Sequence, residues 1–133
     1  MSSIRVLIAD DYEDWRKRVR LLLQARPEWQ AVGEASDGLE VLQKVDELRP
    51  NVILLEIGLP TLNGIEVARR IRRVSPNALI IFLTVDNSPD LEEVALRTGA
   101  LGYVYKPRAQ RDLLPAIEAA LRGEQFVSRM SRS

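Results

Sequence analysis

The sequence predicts an α/β protein in which helices cover both faces of a doubly wound parallel sheet, forming a three-layer sandwich. Three observations predict this class. Short apolar runs alternate with longer amphipathic stretches, as in a series of βα units. The apolar runs are nearly continuous, which is typical of strands buried on both faces. The chain of 133 residues suits a single core, and no repeat or linker divides it.

The first unit begins with the apolar run 4–9, which ends at two adjacent acids, Asp10 and Asp11. A helix is predicted over residues 13–24, because apolar residues recur there at the spacing of one helical face. That face comprises Trp15, Val19, Leu22 and Leu23.

The second unit pairs a weaker strand at 30–35 with a helix at 38–48, capped by Ser36 or Asp37. The third strand, 52–55, is fully apolar and leads directly to Glu56. A loop containing glycine, proline and asparagine follows this acid. The third helix is then predicted over residues 64–74.

The fourth strand is predicted at residues 78–83 and ends at Thr84. Ser88 is expected to cap the fourth helix, with Pro89 at its first position, where a missing N–H does no harm. Gly99 is expected to end that helix.

The fifth strand, 102–105, ends at Lys106. The last helix is predicted to begin near Asp112, because that start places Pro115 in the first turn. Gly123 is expected to end it. Residues 1–123 thus form the predicted domain, and residues 124–133 are expected to be a flexible tail.

Five βα units joined by right-handed crossovers predict a doubly wound three-layer sandwich, of which the flavodoxin-like strand order 2-1-3-4-5 is a common form and the one expected here. The carboxyl ends of the parallel strands then share one edge of the sheet. That edge would bring together Asp10, Asp11, Glu56, Thr84 and Lys106.

Composition excludes several classes of protein. The 19 basic and 19 acidic residues balance, which argues against direct nucleic-acid binding, so the arginines of the third helix are interpreted as a solvated face. Without cysteine or histidine, a metal would be a hard cation held by oxygen. No apolar run is long enough to cross a membrane, and no secretory signal is recognisable, so a cytoplasmic location is expected.

The side chains expected at the sheet edge predict phosphoryl chemistry. Three carboxylates repel one another unless a counter-charge is present. A Mg²⁺ ion would supply that charge, and it favours a few carboxylates together with a phosphate oxygen. A lysine ammonium and a threonine hydroxyl can hold further phosphate oxygens. The acid after the third strand, Glu56, is the natural nucleophile.

At these residues the chain resembles the receiver domains of bacterial two-component response regulators, over residues 4–123. The motifs are Asp10-Asp11, Leu54-Leu-Glu-Ile-Gly-Leu-Pro60, Asn63-Gly, Thr84, Gly99-Ala-Leu-Gly-Tyr-Val-Tyr-Lys-Pro107 and Leu113-Leu-Pro-Ala-Ile117. The phrases Asn63-Gly-Ile-Glu and Gly102-Tyr-Val are most similar to the NarL/LuxR type.

The resemblance implies a Mg²⁺ site formed by Asp10, Asp11, position 56 and the backbone carbonyl of Gly58. Position 56 would accept the phosphoryl group from a histidine kinase.

It also implies that Thr84 and Lys106 contact the phosphoryl group. Tyr103 would be the switch aromatic that turns inward with Thr84. The Lys106–Pro107 peptide bond would be cis.

Two positions depart from the family pattern. Glu56 stands where the family has aspartate, and its extra methylene moves the carboxylate by about 1.5 Å, enough to cost about 10²-fold in such chemistry. The expected result is a partial, permanent phosphate mimic, from either a deliberate substitution or a natural atypical receiver. The alternative is a fixed scaffold with a Glu56–Lys106 salt bridge. Val85, where a small residue is usual, is expected to narrow access for a phosphodonor.

The expected output is a protein contact through residues 88–122, or a homodimer through the first and last helices. The chain ends at Ser133 without the helix-turn-helix domain usual in NarL/LuxR regulators, so it is either a fragment or a stand-alone receiver. A small Mg²⁺-dependent phosphohydrolase is the alternative function, although the missing histidine argues against it. A nucleotide-binding domain is a weaker third, because no P-loop is present.

Overall fold

The computed structural model describes residues 3–128 and contains one sheet between two layers of helices. The strands are β1 (Ile4–Ala9), β2 (Trp29–Ala35), β3 (Val52–Leu55), β4 (Leu79–Thr84), β5 (Gly102–Tyr105) and β6 (Phe126–Val127). The helices are α1 (Glu13–Leu23), α2 (Gly38–Leu48), α3 (Gly64–Val74), α4 (Pro89–Arg97) and α5 (Ala109–Leu121), with a 3-10 turn at Lys106–Arg108. Every predicted element is present, and only α5 begins more than one residue from its predicted start.

All strand pairs are parallel, and the order is β2-β1-β3-β4-β5-β6. The predicted α/β class and the order 2-1-3-4-5 are therefore confirmed, with a sixth strand added beyond β5. No helix within residues 3–128 has the length and apolar character needed to span a membrane.

The central strands bury side chains on both faces. On β3, Ile53 and Leu55 pack in the core beneath α2 and α3, while Val52 and Leu54 pack in the core beneath α1 and α5. Because successive side chains on a strand point to opposite faces, an apolar run without alternation requires a layer of helices on each side.

Three helix starts have the side-chain caps that their sequences indicate. The side chain of Asp37, rather than Ser36, accepts a hydrogen bond from the backbone of Glu40 at the start of α2 (2.9 Å). Asn63 caps α3, and Ser88 caps α4 as predicted. These caps satisfy amide groups that a helix start leaves without partners.

The start of α5 was predicted wrongly. The helix begins at Ala109 rather than Asp112, so Pro115 lies in its interior. Ala109 is buried four residues before the buried Leu113, and this additional packing favours the earlier start. Pro115 itself is exposed, on the side of the helix away from the core.

The predicted cis bond between Lys106 and Pro107 is also wrong, because residues 3–128 contain no cis peptide bond. The trans form of an X–Pro bond is favoured intrinsically by about 0.5–1 kcal/mol. Pro107 lies in the 3-10 turn Lys106–Arg108, where its fixed φ and missing N–H are tolerated.

Part of the predicted flexible tail is a strand. In β6, the Phe126 amide donates to Leu101 O, and the Ser128 amide donates to Tyr103 O, each at 2.8 Å. The Ser128 hydroxyl donates to the carboxylate of the buried Asp112 (2.8 Å) and accepts from the Tyr105 amide (3.1 Å). The sheet thus extends past the predicted domain boundary, while residues 129–133 lie outside the described part.

We expect Ser128→Ala to lower the free energy of unfolding by about 1 kcal/mol, because it removes both side-chain hydrogen bonds that join β6 to α5 and β5. Burial opposes ionisation of Asp112, but the bonds from Arg111 and Ser128 outweigh it and lower the pKa of this acid. An acid whose pKa is lowered in the folded state stabilises the fold at pH values above its unfolded pKa, and this stability is lost as the pH falls through the folded pKa. The effect of Ser128→Ala should therefore shrink in acid.

Urea unfolding measures the Ser128 effect, with Gln125→Ala, at an exposed neighbouring position, as the matched control. Equal stabilities of the two variants would contradict this account of β6.

Candidate functional site

Three charged side chains meet at the carboxyl edge of the sheet. Lys106 Nζ lies 2.6 Å from Asp10 Oδ2 and 2.7 Å from Glu56 Oε1. The three residues are at most 6% exposed. They follow β5, β1 and β3, so the structure brings together side chains that are far apart in sequence. We call this cluster the Asp10–Lys106–Glu56 triad.

The Glu56 carboxylate also binds its own loop. Its Oε2 accepts hydrogen bonds from the backbone N–H groups of Ile57 (2.6 Å) and Gly58 (3.2 Å). The loop is close to Gly64, whose amide donates to Ile57 O (2.7 Å). A Cβ at Gly64 would lie 2.3 Å from Glu56 O, so this approach requires glycine. Both oxygens of Glu56 are therefore bound by hydrogen-bond donors.

Asp10 and Asp11 have different roles in the geometry. Asp10 Oδ1 accepts from the Tyr12 amide (2.9 Å) and begins the turn into α1, while its Oδ2 binds Lys106. Asp11 instead lines an open cavity of about 330 Å³ beside the triad. The remaining lining residues are Tyr12, Glu56, Ile57, Gly58, Thr84, Val85, Asp86 and Leu91.

The electrostatics of the triad follow from one cation shared between two anions. Burial raises the pKa of Asp10. The contacts with Lys106 and with the Tyr12 amide act to lower this pKa, but they do not cancel the effect of burial. Burial would lower the pKa of Lys106, but the hydrogen bonds and charges of Asp10 and Glu56 outweigh it, so this pKa is raised. The lysine therefore stays charged between the two acids.

Thr84 and Tyr103 belong to the same edge but not to the triad. Thr84 Oγ1 accepts from the Asp86 amide at 3.4 Å. The Tyr103 side chain is buried, and its hydroxyl donates to Asp86 O (2.6 Å). Burial and the charges of Asp86, Glu92 and Glu56 raise the pKa of Tyr103, so the phenol remains a donor. Val85 lines the cavity and is 62% exposed, and its effect on access for a phosphodonor stays a prediction.

The donor chemistry fits a hard cation, although the predicted ligands do not form one cluster. Asp11, Glu56 and Gly58 line the cavity and would offer only oxygen ligands. Within residues 3–128, however, no three acidic side chains are grouped closely enough to hold a metal. Asp10 and Glu56 each contact Lys106 instead.

Trp15 is a residue of this site that the sequence analysis assigned only to the inner face of the first helix. Lys106 Nζ lies over its ring, 4.9 Å from the centroid. The available signal was an aromatic residue in the first turn of the helix that follows the paired acids.

Comparison with known proteins gives a consistent result. The family model for the response regulator receiver domain matches residues 6–118. The chain is 36% identical over 122 residues to the uncharacterized transcriptional regulatory protein YxjL of Bacillus subtilis, covering 92% of this chain and 56% of that protein. It is 34% identical over 123 residues to the nitrate/nitrite response regulator protein NarL of Escherichia coli K12, covering 92% and 57%. The chain thus spans little more than half the length of these relatives.

Solved structures show the same fold. A LuxR-family two-component response regulator from Aurantimonas sp. has a TM-score of 0.89 and 33% identity, covering 94% of this chain and 89% of that one. The isolated receiver domain of RcsB from Salmonella enterica serovar Typhimurium, determined with the phosphomimetic BeF3−, has a TM-score of 0.90 and 27% identity, covering 96% and 95%. These comparisons give no support to the phosphohydrolase alternative.

We expect Lys106→Met to cost about 3–5 kcal/mol of unfolding free energy at neutral pH, because two buried carboxylates lose their counter-charge. Burial would then raise the pKa of Asp10 without opposition from the lysine. An acid whose pKa is raised in the folded state destabilises the fold as the pH rises from its unfolded pKa through its folded pKa. The unfolding free energy lost in Lys106→Met should therefore be larger at about pH 8 than at about pH 5.

Urea unfolding at both pH values measures this. Lys17→Met removes an exposed lysine of α1 as the control, with an expected change below about 1 kcal/mol. A Lys106→Met protein as stable as this control would show that the triad does not stabilise the fold.

Proposed function

The chain belongs to the family of response regulator receiver domains, and on that premise we propose that it holds a signalling state without being phosphorylated. Receiver domains of this family are generally signalling domains rather than enzymes. The same role is proposed for this chain. Its output would be a contact with another protein, determined by the side chains at the carboxyl edge of the sheet.

One observation carries the proposal over the fixed scaffold, for which the Glu56–Lys106 salt bridge alone would suffice. The carboxylate of Glu56 is bound at both oxygens, by the Lys106 ammonium at one and by two backbone N–H groups at the other. Such donors form a site for an anion. Here the protein's own side chain supplies that anion. A carboxylate held in this way is a poor nucleophile, because an attacking oxygen would first have to leave its donors.

The position of Tyr103 supports the same proposal. A buried tyrosine with its hydroxyl on Asp86 O ties β5 to the loop between β4 and α4. In the family resemblance, an inward switch aromatic accompanies the active state. We therefore propose that the tethered carboxylate, together with Tyr103, favours an active-like arrangement of this loop.

A Mg²⁺ ion is part of the proposal, since receiver domains typically bind it at the phosphorylation site. We assign its binding chiefly to Asp11, with the Gly58 carbonyl as a further ligand, because both residues line the open cavity. Asp10 and Glu56 are weaker ligands here, because the oxygens of each already accept from Lys106 and from backbone N–H groups.

The partners follow from the family. Receiver domains of response regulators interact with histidine kinases, and we propose a kinase or another signalling protein as the partner of this chain. The contact surface would be residues 88–122, or a homodimer would form through α1 and α5.

We propose that this chain makes no direct contact with nucleic acid, and that it is cytoplasmic, as response regulators generally are.

We expect Glu56→Asp to restore phosphorylation. With acetyl phosphate and Mg²⁺, mass spectrometry should detect a phosphorylated adduct that forms about 10²-fold faster than on the native chain, because the shorter acid is correctly placed.

The amide NMR spectrum of native protein should resemble that of Glu56→Asp bound to beryllofluoride, and beryllofluoride should change the native spectrum little.

Glu56→Gln, which keeps the length of the side chain but not its charge, is the matched control and should lose the active-like spectrum. Phosphorylation of the native chain at the rate of Glu56→Asp would overturn the proposal. So would a native spectrum that matches Glu56→Gln.

We expect Asp11→Asn to weaken Mg²⁺ binding by roughly tenfold or more, because a neutral amide replaces a carboxylate ligand. Glu56→Gln should weaken it less. Isothermal titration with MgCl₂ measures both, and Glu13→Gln, at an exposed acid nearby, is the control. A larger effect of Glu56→Gln than of Asp11→Asn would reverse the assignment of ligands.

A further inference from the structure

The lysine of the triad has a third neighbour. Its Nζ lies over the indole of Trp15, 4.9 Å from the ring centroid, in addition to its contacts with Asp10 and Glu56. We infer that Trp15 is a positioning residue, whose ring holds the Lys106 ammonium against the two carboxylates and closes that side of the triad to solvent.

The argument begins with the needs of a buried ammonium. Lysine has three N–H donors, and two acceptors are supplied by Asp10 Oδ2 and Glu56 Oε1. With only 3% of Lys106 exposed, water contributes little. The negative face of an indole attracts a cation, and most strongly where the cation is desolvated. Trp15 therefore supplies a contact that neither carboxylate can provide.

The sequence places this ring by a short local path. Asp10 Oδ1 accepts from the Tyr12 amide, and Tyr12 O in turn accepts from the Trp15 amide (3.1 Å). The acid that binds Lys106 through one oxygen thus forms the turn that starts α1 through the other. This couples the direction of the first helical turn to the position of the lysine.

The ring of Trp15 also has neighbours on the surface of α1. The Arg18 guanidinium lies over it at 5.0 Å, and Asp14, Trp15 and Arg18 line an open cavity of about 180 Å³. Trp15 is itself partly buried and packs against the core beneath α1 and α5, so the ring connects the Lys106 ammonium with this surface.

The inference deepens the proposed function, because the Glu56–Lys106 contact carries that proposal. Its test measures the enclosure of the lysine directly and does not depend on phosphorylation. Native-like labelling of Lys106 would rule out the positioning role of Trp15 and leave the proposed function untouched. The Glu56→Asp experiment tests the signalling role separately.

The chain has three lysines, Lys17, Lys44 and Lys106, which makes amine labelling a sharp test. Folded protein is treated briefly with acetic anhydride, and acylation at each lysine is quantified by peptide mass spectrometry. Lys17 is exposed and reports the reagent, while the half-buried Lys44 reports general loosening of the fold. The variants are Trp15→Leu, which keeps apolar bulk, and Trp15→Phe, which keeps an aromatic face. Arg18→Ala removes the other cation on the ring.

We expect acylation of Lys106, relative to Lys17, to rise about tenfold in Trp15→Leu and clearly less in Trp15→Phe. Arg18→Ala should leave it unchanged. Native-like labelling of Lys106 in Trp15→Leu would overturn the inference, as would a parallel rise at Lys44, which indicates loosening of the whole fold. If Trp15→Leu does not fold, Trp15→Met takes its place, because it also keeps apolar bulk and lacks an aromatic face. Native-like labelling of Lys106 in that variant then refutes the role.

Discussion

The ammonium of Lys106 links the ends of three strands, because the lysine follows β5 and binds carboxylates that follow β1 and β3. Two carboxylates buried this close would repel each other strongly without it. The shared cation therefore permits the loops after β1 and β3 to approach. The Glu56 carboxylate is bound by this ammonium, and Asp10 joins the same ammonium to the turn into α1.

The triad also explains what a glutamate does at a position where the family has an aspartate. The longer side chain reaches the lysine with one oxygen and turns back with the other to its own loop at Ile57 and Gly58. An anion-binding set of donors is thus filled from within the chain. On the far side of the cavity, Tyr103 fixes the loop after β4 through Asp86 O. Both halves of the edge thus include hydrogen bonds between a side chain and a backbone group.

The errors of the sequence analysis have physical causes. The start of α5 depended on the burial of Ala109, a contact made only after the helix packs on the sheet. Strand β6 has just two residues, and its pairing is completed by Ser128 and Asp112, which are 16 residues apart. The expected cis bond at Pro107 came from family resemblance and not from any property of the residues themselves. For α5 and β6, contacts made only in the folded protein overrode the local pattern.

The sequence by itself determined the strands, the helices and the residues that end each strand, because apolar periodicity and capping act over a few residues, and the handedness of βα crossovers then indicated a sheet covered on both faces. It thereby brought Asp10, Glu56 and Lys106 to one edge. Only the tertiary structure decided that the lysine bonds both of those acids and leaves Asp11 to line the open cavity. The same holds for the ring of Trp15 over the lysine. Such choices depend on distances of a few ångströms between elements far apart in the chain, where burial strengthens each charge interaction, and no local pattern encodes those distances.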